Sequence, residues 1–228
     1  MMNQTSTANK RLLSLDFFRG ITVAAMILVN NPGDWGHIYA PLEHAEWNGC
    51  TPTDLIFPFF LFIVGVSIVY ALDNKLSDFK NHNSLILSIL KRAAILFGLG
   101  LLMSLQPYFD FANFRIPGVL QRIAIVYFVC ALLFLKIKPN ILFKIFIIIL
   151  ISYWLMMVLI PVPGFGVANL GKETNLGAWL DRFVLTEKHL WINGKTWDPE
   201  GILSTLPAIA SGLFGVLMGV ILKSKQRT

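Results

Sequence analysis

The stretch HAEWNGCTPTDLIFPFF (44–60) gathers side chains able to do chemistry beside a run apolar enough for lipid. His44, Glu46, Asn48 and Asp54 fall close together, Thr51 and Thr53 add hydroxyls, and Pro52 and Pro58 shape the start of a helix. An imidazole with a carboxylate near it can serve as a general base close to neutral pH. For Asp54 a second reading stands beside that one, a plain helix cap, because acids suit helix N-termini. His37, His82 and His189 sit in polar stretches and read as surface residues, whereas His44 has the densest polar neighbourhood. There is no Gly-rich phosphate loop and no Ser-centred hydrolase elbow. Cys50 and Cys130 have neither CxxC nor Cys/His zinc spacing, so no metal and no disulfide is expected.

Other polar groups lie within or at the edges of apolar runs. A charge inside a membrane span costs at least about 2.5–3.5 kcal/mol, so such groups should face protein or a cavity. Asp16 and Arg19 are three apart and share one helix face. They form either a structural ion pair near the cytoplasmic interface or a ligand-positioning site there. Asn30 and Asn31 close the same run, as caps or as groups pointing into a cavity. Gln121 and Arg122 open a later run at its outer end, where Arg122 either snorkels or holds an anion.

These residues need elements to position them. The chain has 228 residues, 55% hydrophobic and only 14% charged; a soluble domain carries roughly 25% charged residues. Six apolar runs can be drawn, at about 12–30, 55–72, 85–105, 119–135, 141–160 and 202–222. Each is long enough to cross about 30 Å of hydrocarbon at 1.5 Å per residue. The fifth, IFIIILISYWLMMVLI, lacks the polar stripe of a soluble helix. The fold class predicted is therefore all-α, a polytopic transmembrane bundle of about six spans forming a single domain in the lipid bilayer.

Charge placement orients it. Lys10 and Arg11 precede the first run; Lys75, Lys80, Lys91 and Arg92 are assigned between the second and third; Lys136, Lys138 and Lys144 between the fourth and fifth; Lys223, Lys225 and Arg227 follow the sixth. The segment 31–54 has no Lys or Arg but carries Asp34, Glu43, Glu46 and Asp54. The positive-inside rule then predicts both termini on the cytoplasmic side and His44 outside. The net charge of +6 is thus topological, and without a basic stripe it does not suggest nucleic acid. The polar first ten residues, followed by an apolar run with no A-x-A-like site, do not read as a cleaved leader. The external stretch 161–201 holds Trp179, Trp191 and Trp197 and is too long for a plain connector. No internal repeat is evident.

Several motifs resemble one known family in the same order along the chain: RLLSLDFFRG, HAEWNGCTPTDLIFPFFLFIVG, RIPGVLQRIAIVYFV, PVPGFG, LDRFVL and DPEGILSTLPAIASGLFGVLMG. The chain resembles the heparan-α-glucosaminide N-acetyltransferase family of transmembrane acyltransferases over most of residues 11–222. The resemblance implies a cytoplasmic acetyl-CoA donor and an amino sugar or glycan acceptor on the far side, with pantetheine threaded between helices. It implies that His44 is the active histidine, and that Asp16, Arg19, Asn30 and Asp54 match family motif positions. His44 would either deprotonate the attacking amine or be acetylated first and pass the group on. Asn48, Gln121 and Arg122 are further candidates for substrate or coenzyme contact. A multi-pass protein of a bacterial inner membrane is expected, with a homodimer as an expected assembly. Family members usually continue for several more helices, so these residues are expected to form the N-terminal portion of a longer family domain. The 161–201 stretch is shorter than in animal members, which points to a cell-wall or imported amino sugar. Some bacterial relatives carry transporter labels, so sugar transport is the alternative activity, with an inactive fragment as a third reading.

Overall fold

A computed structural model describes residues 12–75 and 82–227. Lys10, Arg11 and Lys80, used above for orientation, lie outside the described residues, as does the polar N-terminal segment. The helices are α1 (Leu13–Asn30), α2 (Pro52–Leu72), α3 (His82–Leu105), α4 (Val119–Lys136), α5 (Pro139–Leu159), α6 (Leu176–Leu185) and α7 (Thr205–Arg227). All but α6 are long and apolar enough to cross a membrane. Among the described residues no strand forms; there is one isolated bridge, Val162 to Gly166.

Where helix ends differ from the sequence expectation, local chemistry explains it. α2 starts at Pro52, not near Leu55, because proline suits the first helical position and Thr51–Asp54 forms a capping box ahead of it. α3 starts at His82 and includes Lys91 and Arg92, which are therefore in the helix and not in the connector. At 24 residues α3 is about 36 Å long, more than the hydrocarbon thickness, so long basic side chains can reach the interface. Lys144 likewise belongs to α5. α7 starts at Thr205, later than expected, because residues 201–204 turn to meet Arg122.

The unforeseen element is α6. Asn175 caps it, its side-chain oxygen accepting from the Ala178 N–H at 3.0 Å. Leu176, Ala178 and Asp181 form its buried face.

α7 is the pivot of the bundle, packed against α2, α4 and α5, while α4 also meets α2 and α3, and α1 lies against α2. Leu61, Ile68 and Val69 of α2, Val126 and Cys130 of α4, and Leu213 and Val216 of α7 make the main core. A smaller cluster of Val162, Leu176 and Leu203, packed with Tyr153, Met157 and Trp179, seats α6 on the ends of α5 and α7. Apolar side chains on the outside of α1, α3 and α5 remain exposed, as expected where the surrounding solvent is lipid.

Candidate functional site

The loop before α2 folds into a hub around Asp54. Asp54 Oδ2 accepts from the Thr51 N–H at 2.9 Å and the Ala45 N–H at 3.3 Å, with the Thr51 hydroxyl at 3.1 Å. The same hydroxyl lies 2.7 Å from the Glu43 carbonyl, which ties the two ends of the loop together. Asp54 Oδ1 meets His44 Nδ1 at 2.7 Å. Asp54 is thus both helix cap and histidine partner, and the two readings of the sequence are one structure. An ionised Asp54 accepts the Nδ1 proton, leaving the lone pair on Nε2. Nε2 has no partner among the described residues, and the imidazole is 62% exposed.

A second pair, His37 Nδ1 and Asp34 Oδ2 at 2.6 Å, is as close. It is a surface turn, however: the side chains are 88% and 66% exposed. The Gly36 N–H and His37 hold the Asp34 carboxyl below the usual carboxylate range. Preorganisation, not distance, separates the two pairs. His189 is structural, its Nδ1 meeting the Phe114 carbonyl at 2.8 Å.

The other sequence candidates divide. Asn48 is exposed, with no hydrogen bond to the pair. Asn30 donates to the Met26 carbonyl of its own helix at 2.9 Å and does not join His44. Asp16 and Arg19 pair at 3.4 Å, and Arg19 also donates to Ser67 Oγ of α2 at 2.8 Å. Arg19 lines a cleft of about 350 Å³ between α1, α2, α3 and α4, with Arg92, Tyr127 and apolar walls. Arg92 sits over the Tyr127 ring, 5.7 Å from its centroid.

Gln121 and Arg122 are buried, which overturns snorkelling as a reading of Arg122. Arg122 donates to the Gly201 carbonyl at 3.1 Å and to Ser204 Oγ. It therefore pins the turn that starts α7. Arg122→Met removes the charged donor to that carbonyl, which keeps the Ser204 and Thr205 hydroxyls, and to Ser204 Oγ. It is expected to cost about 1.5–3 kcal/mol, the scale of hydrogen bonds to a charged group, measured by thermal unfolding in detergent; an unchanged melting temperature would contradict the pinning role.

Single-sequence reasoning missed a charged network beside it. Arg115 donates through Nε and a terminal nitrogen to both oxygens of the buried Asp198, at 2.9 and 2.6 Å, and to Glu200. Asp198 also accepts from the Trp191 and Glu200 N–H groups. The connectors join at this end: Trp47 Nε1 donates to the Leu170 carbonyl at 2.7 Å, and the Ile116 N–H donates to the His189 carbonyl. The His44 loop, the Arg115 loop and the 161–204 stretch thus share one face of the bundle. Among the described residues no group of three His, Cys, Asp or Glu side chains could hold a metal.

Helices of spanning length, with a capped His–Asp pair on the face where the connectors meet, define a multi-pass membrane protein with a preorganised imidazole at one surface. The family "Heparan-alpha-glucosaminide N-acetyltransferase, catalytic" matches residues 11–227. The chain belongs to that family. It is 32% identical to the human heparan-alpha-glucosaminide N-acetyltransferase over 265 aligned positions, covering 96% of this chain and 40% of the human protein. Against the mouse protein of the same name it is 32% identical over 263 positions, covering 95% and 40%. The chain therefore spans about 40% of the length of the curated relatives it matches.

Proposed function

We propose that the chain carries the transfer centre of a membrane N-acetyltransferase, which moves an acetyl group from acetyl-CoA at the cytoplasmic side to the amine of a glucosamine-like sugar on the opposite face of a bacterial inner membrane. The observation that carries this reading is the His44–Asp54 pair, held at 2.7 Å with Asp54 fixed by backbone donors. Family membership supports the reaction class. The positive-inside assignment supports the sidedness.

The Arg19–Arg92 cleft fits the donor chemically. Two guanidinium groups at its walls suit phosphate groups, and the apolar lining from α2, α3 and α4 suits a thin, mostly uncharged arm. His44 Nε2 takes the proton from the sugar amine as its nitrogen bonds to the acetyl carbon, while the carbon–sulfur bond breaks and the thiolate leaves to be protonated. Asp54 stabilises the imidazolium so formed and keeps the ring turned. Prior acetylation of the same nitrogen uses the same geometry, and label retained on the protein without acceptor would identify that route.

The test is transfer in sealed vesicles carrying the protein in known orientation, with radiolabelled acetyl-CoA on one face and glucosamine on the other. The expected result is labelled N-acetylglucosamine only when donor and acceptor face opposite sides. Absence of transfer to every amino sugar tried, from folded protein in either arrangement, would overturn the reading in favour of sugar transport. In the same assay, Arg92→Gln is expected to raise the KM for acetyl-CoA about tenfold, the scale of one charge-assisted hydrogen bond; an unchanged KM would remove the cleft from the donor site.

A further inference from the structure

Behind Trp47 lies a cavity of about 130 Å³, walled by the Trp47 and Trp197 indoles, Tyr153 of α5, Asn175 and Asp181 of α6, and Ser204. The acetyl transfer described above makes no use of it. Most of its polar groups are already committed. The Asn175 amide donates to the Gly171 and Lys172 carbonyls and caps α6. Ser204 Oγ is taken by Arg122 and the Gly201 carbonyl, and Trp47 Nε1 by the Leu170 carbonyl. The neighbouring Asp198 has both oxygens filled by Arg115 and backbone N–H groups.

Asp181 differs. It is only 3% exposed, its Oδ1 accepts from the Ile202 N–H at 2.7 Å, and its Oδ2 has no hydrogen-bond partner among the described residues. No ion pair reaches it among them either. The Tyr153 hydroxyl and Trp197 Nε1 also have no hydrogen-bond partner there. Burial pushes the Asp181 carboxyl up to about 6, helped by the nearby Asp198 carboxylate and opposed by the Ile202 N–H and the charges of Arg122 and Arg182. A buried carboxylate with no ion pair among the described residues, and with one oxygen unused at a cavity wall, is costly to keep. Indole faces pack against the C–H faces of a pyranose, and its hydroxyls need acceptors such as the free carboxylate oxygen. Trp47 lies three residues after His44 in the same loop, so a ring against Trp47 lies beside the imidazole's own segment.

We propose that this cavity is the acceptor subsite, taking a single hexosamine ring against Trp47 and Trp197 with ring hydroxyls bound by Asp181 Oδ2 and the Tyr153 hydroxyl, so that Asp181 selects a polyhydroxylated amine over a plain one. This rests on the amino-sugar reading above. A site built to bind hydroxyls discriminates strongly against analogues lacking them, because its buried polar groups are then left unpaired.

The test titrates tryptophan fluorescence of the purified protein in nanodiscs with glucosamine and with ethylamine, and measures transfer kinetics beside it. Wild type should show saturable quenching by glucosamine and none by ethylamine. Asp181→Asn keeps an acceptor for the Ile202 N–H, so it should fold. It should weaken glucosamine binding at least tenfold and raise the KM for acceptor while kcat at saturating sugar changes less than threefold. Tyr153→Phe should weaken binding about fivefold. The folded-state pKa of Asp181 lies above its ordinary value, so its contribution to stability is full below that ordinary value and lost as pH rises through about 6. Asp181→Asn should therefore melt at a higher temperature than wild type at pH 8, with the gain shrinking toward pH 5, which separates a folded variant from a damaged one. Transfer with the KM for acceptor unchanged in both variants would overturn the subsite and leave the acetyltransferase standing. Quenching by glucosamine that is lost in Asp181→Asn, in a protein that transfers nothing, would uphold the subsite and overturn the acetyltransferase.

Discussion

Alanine at His44 is expected to lower acetyl transfer by about 10²–10⁴-fold, the range for losing a positioned general base, with little change in melting temperature. The second half follows from exposure: the ring is 62% exposed, and surface truncations stay within about 0.5 kcal/mol. Asp54→Asn should act through the tautomer. The amide can still accept the Thr51 N–H, but its own N–H₂ then faces His44 Nδ1. That contact favours the proton on Nε2 and removes the lone pair that the proposed transfer needs. Asp54→Ala adds the loss of a helix cap, about 0.5–2 kcal/mol, so it should lower both activity and melting temperature. His37→Ala is the control, because its partner Asp34 sits on an open turn. Single-turnover transfer beside thermal unfolding of the four variants checks this. Equal losses at His37 and His44, or full activity in His44→Ala, would remove His44 from the chemistry.

The sequence shows these two histidines as near equals in type, both close to an acid. What marked His44 was the crowd of polar residues before an apolar run, and in the structure part of that crowd orders the loop that holds the histidine. Pro52 and Thr51 set the first turn of α2, and Asp54 at its third position turns inward to reach both the loop backbone and the imidazole. The spans were legible because hydrophobic length is a local property. Asp181 was not legible. In sequence LDRFVL stands out only as one of the family-like motifs, and it is the packing of α6 onto α5 and α7 that buries the acid. A weak trace existed, since Asp181 falls three residues after Ala178 and so shares the apolar face of a short helix. Asn30 donates back onto its own helix and Asn48 lies in solvent, so the structure joins neither of them to the His44–Asp54 pair. Arg115 and Asp198, 83 positions apart, meet only because the connectors converge on one face, which no local pattern encodes.

The largest structural effect is expected where α2 crosses α7. Lipid offers no hydrophobic drive between helices, so association depends on close approach and van der Waals packing, which small residues permit. Gly65 and Gly215 set that approach. A Cβ on Gly65 would lie 2.0 Å from the Gly212 carbonyl oxygen, and a Cβ on Gly215 would lie 2.0 Å from the Phe62 carbonyl oxygen. Both obstacles are backbone, so no rotamer change relieves them and the helices must separate. Ordinary overpacking costs about 1–3 kcal/mol; here separation also opens the seam of Leu61, Ile68, Leu213 and Val216 that forms the centre of the core. Gly65→Ala and Gly215→Ala are therefore each expected to cost more than that range, and the valine versions to give no monodisperse protein. Gly20 of α1 and Gly98 of α3 supply the contrast, because a Cβ at either meets nothing within 4 Å among the described residues. Alanine there should be neutral or stabilising by up to about 1 kcal/mol through helix propensity. Melting temperatures of the four alanine variants in one detergent decide the matter. If Gly65→Ala and Gly215→Ala melt with Gly20→Ala and Gly98→Ala, the α2–α7 crossing is looser than the carbonyl contacts require, and α7 is not the pivot of the bundle.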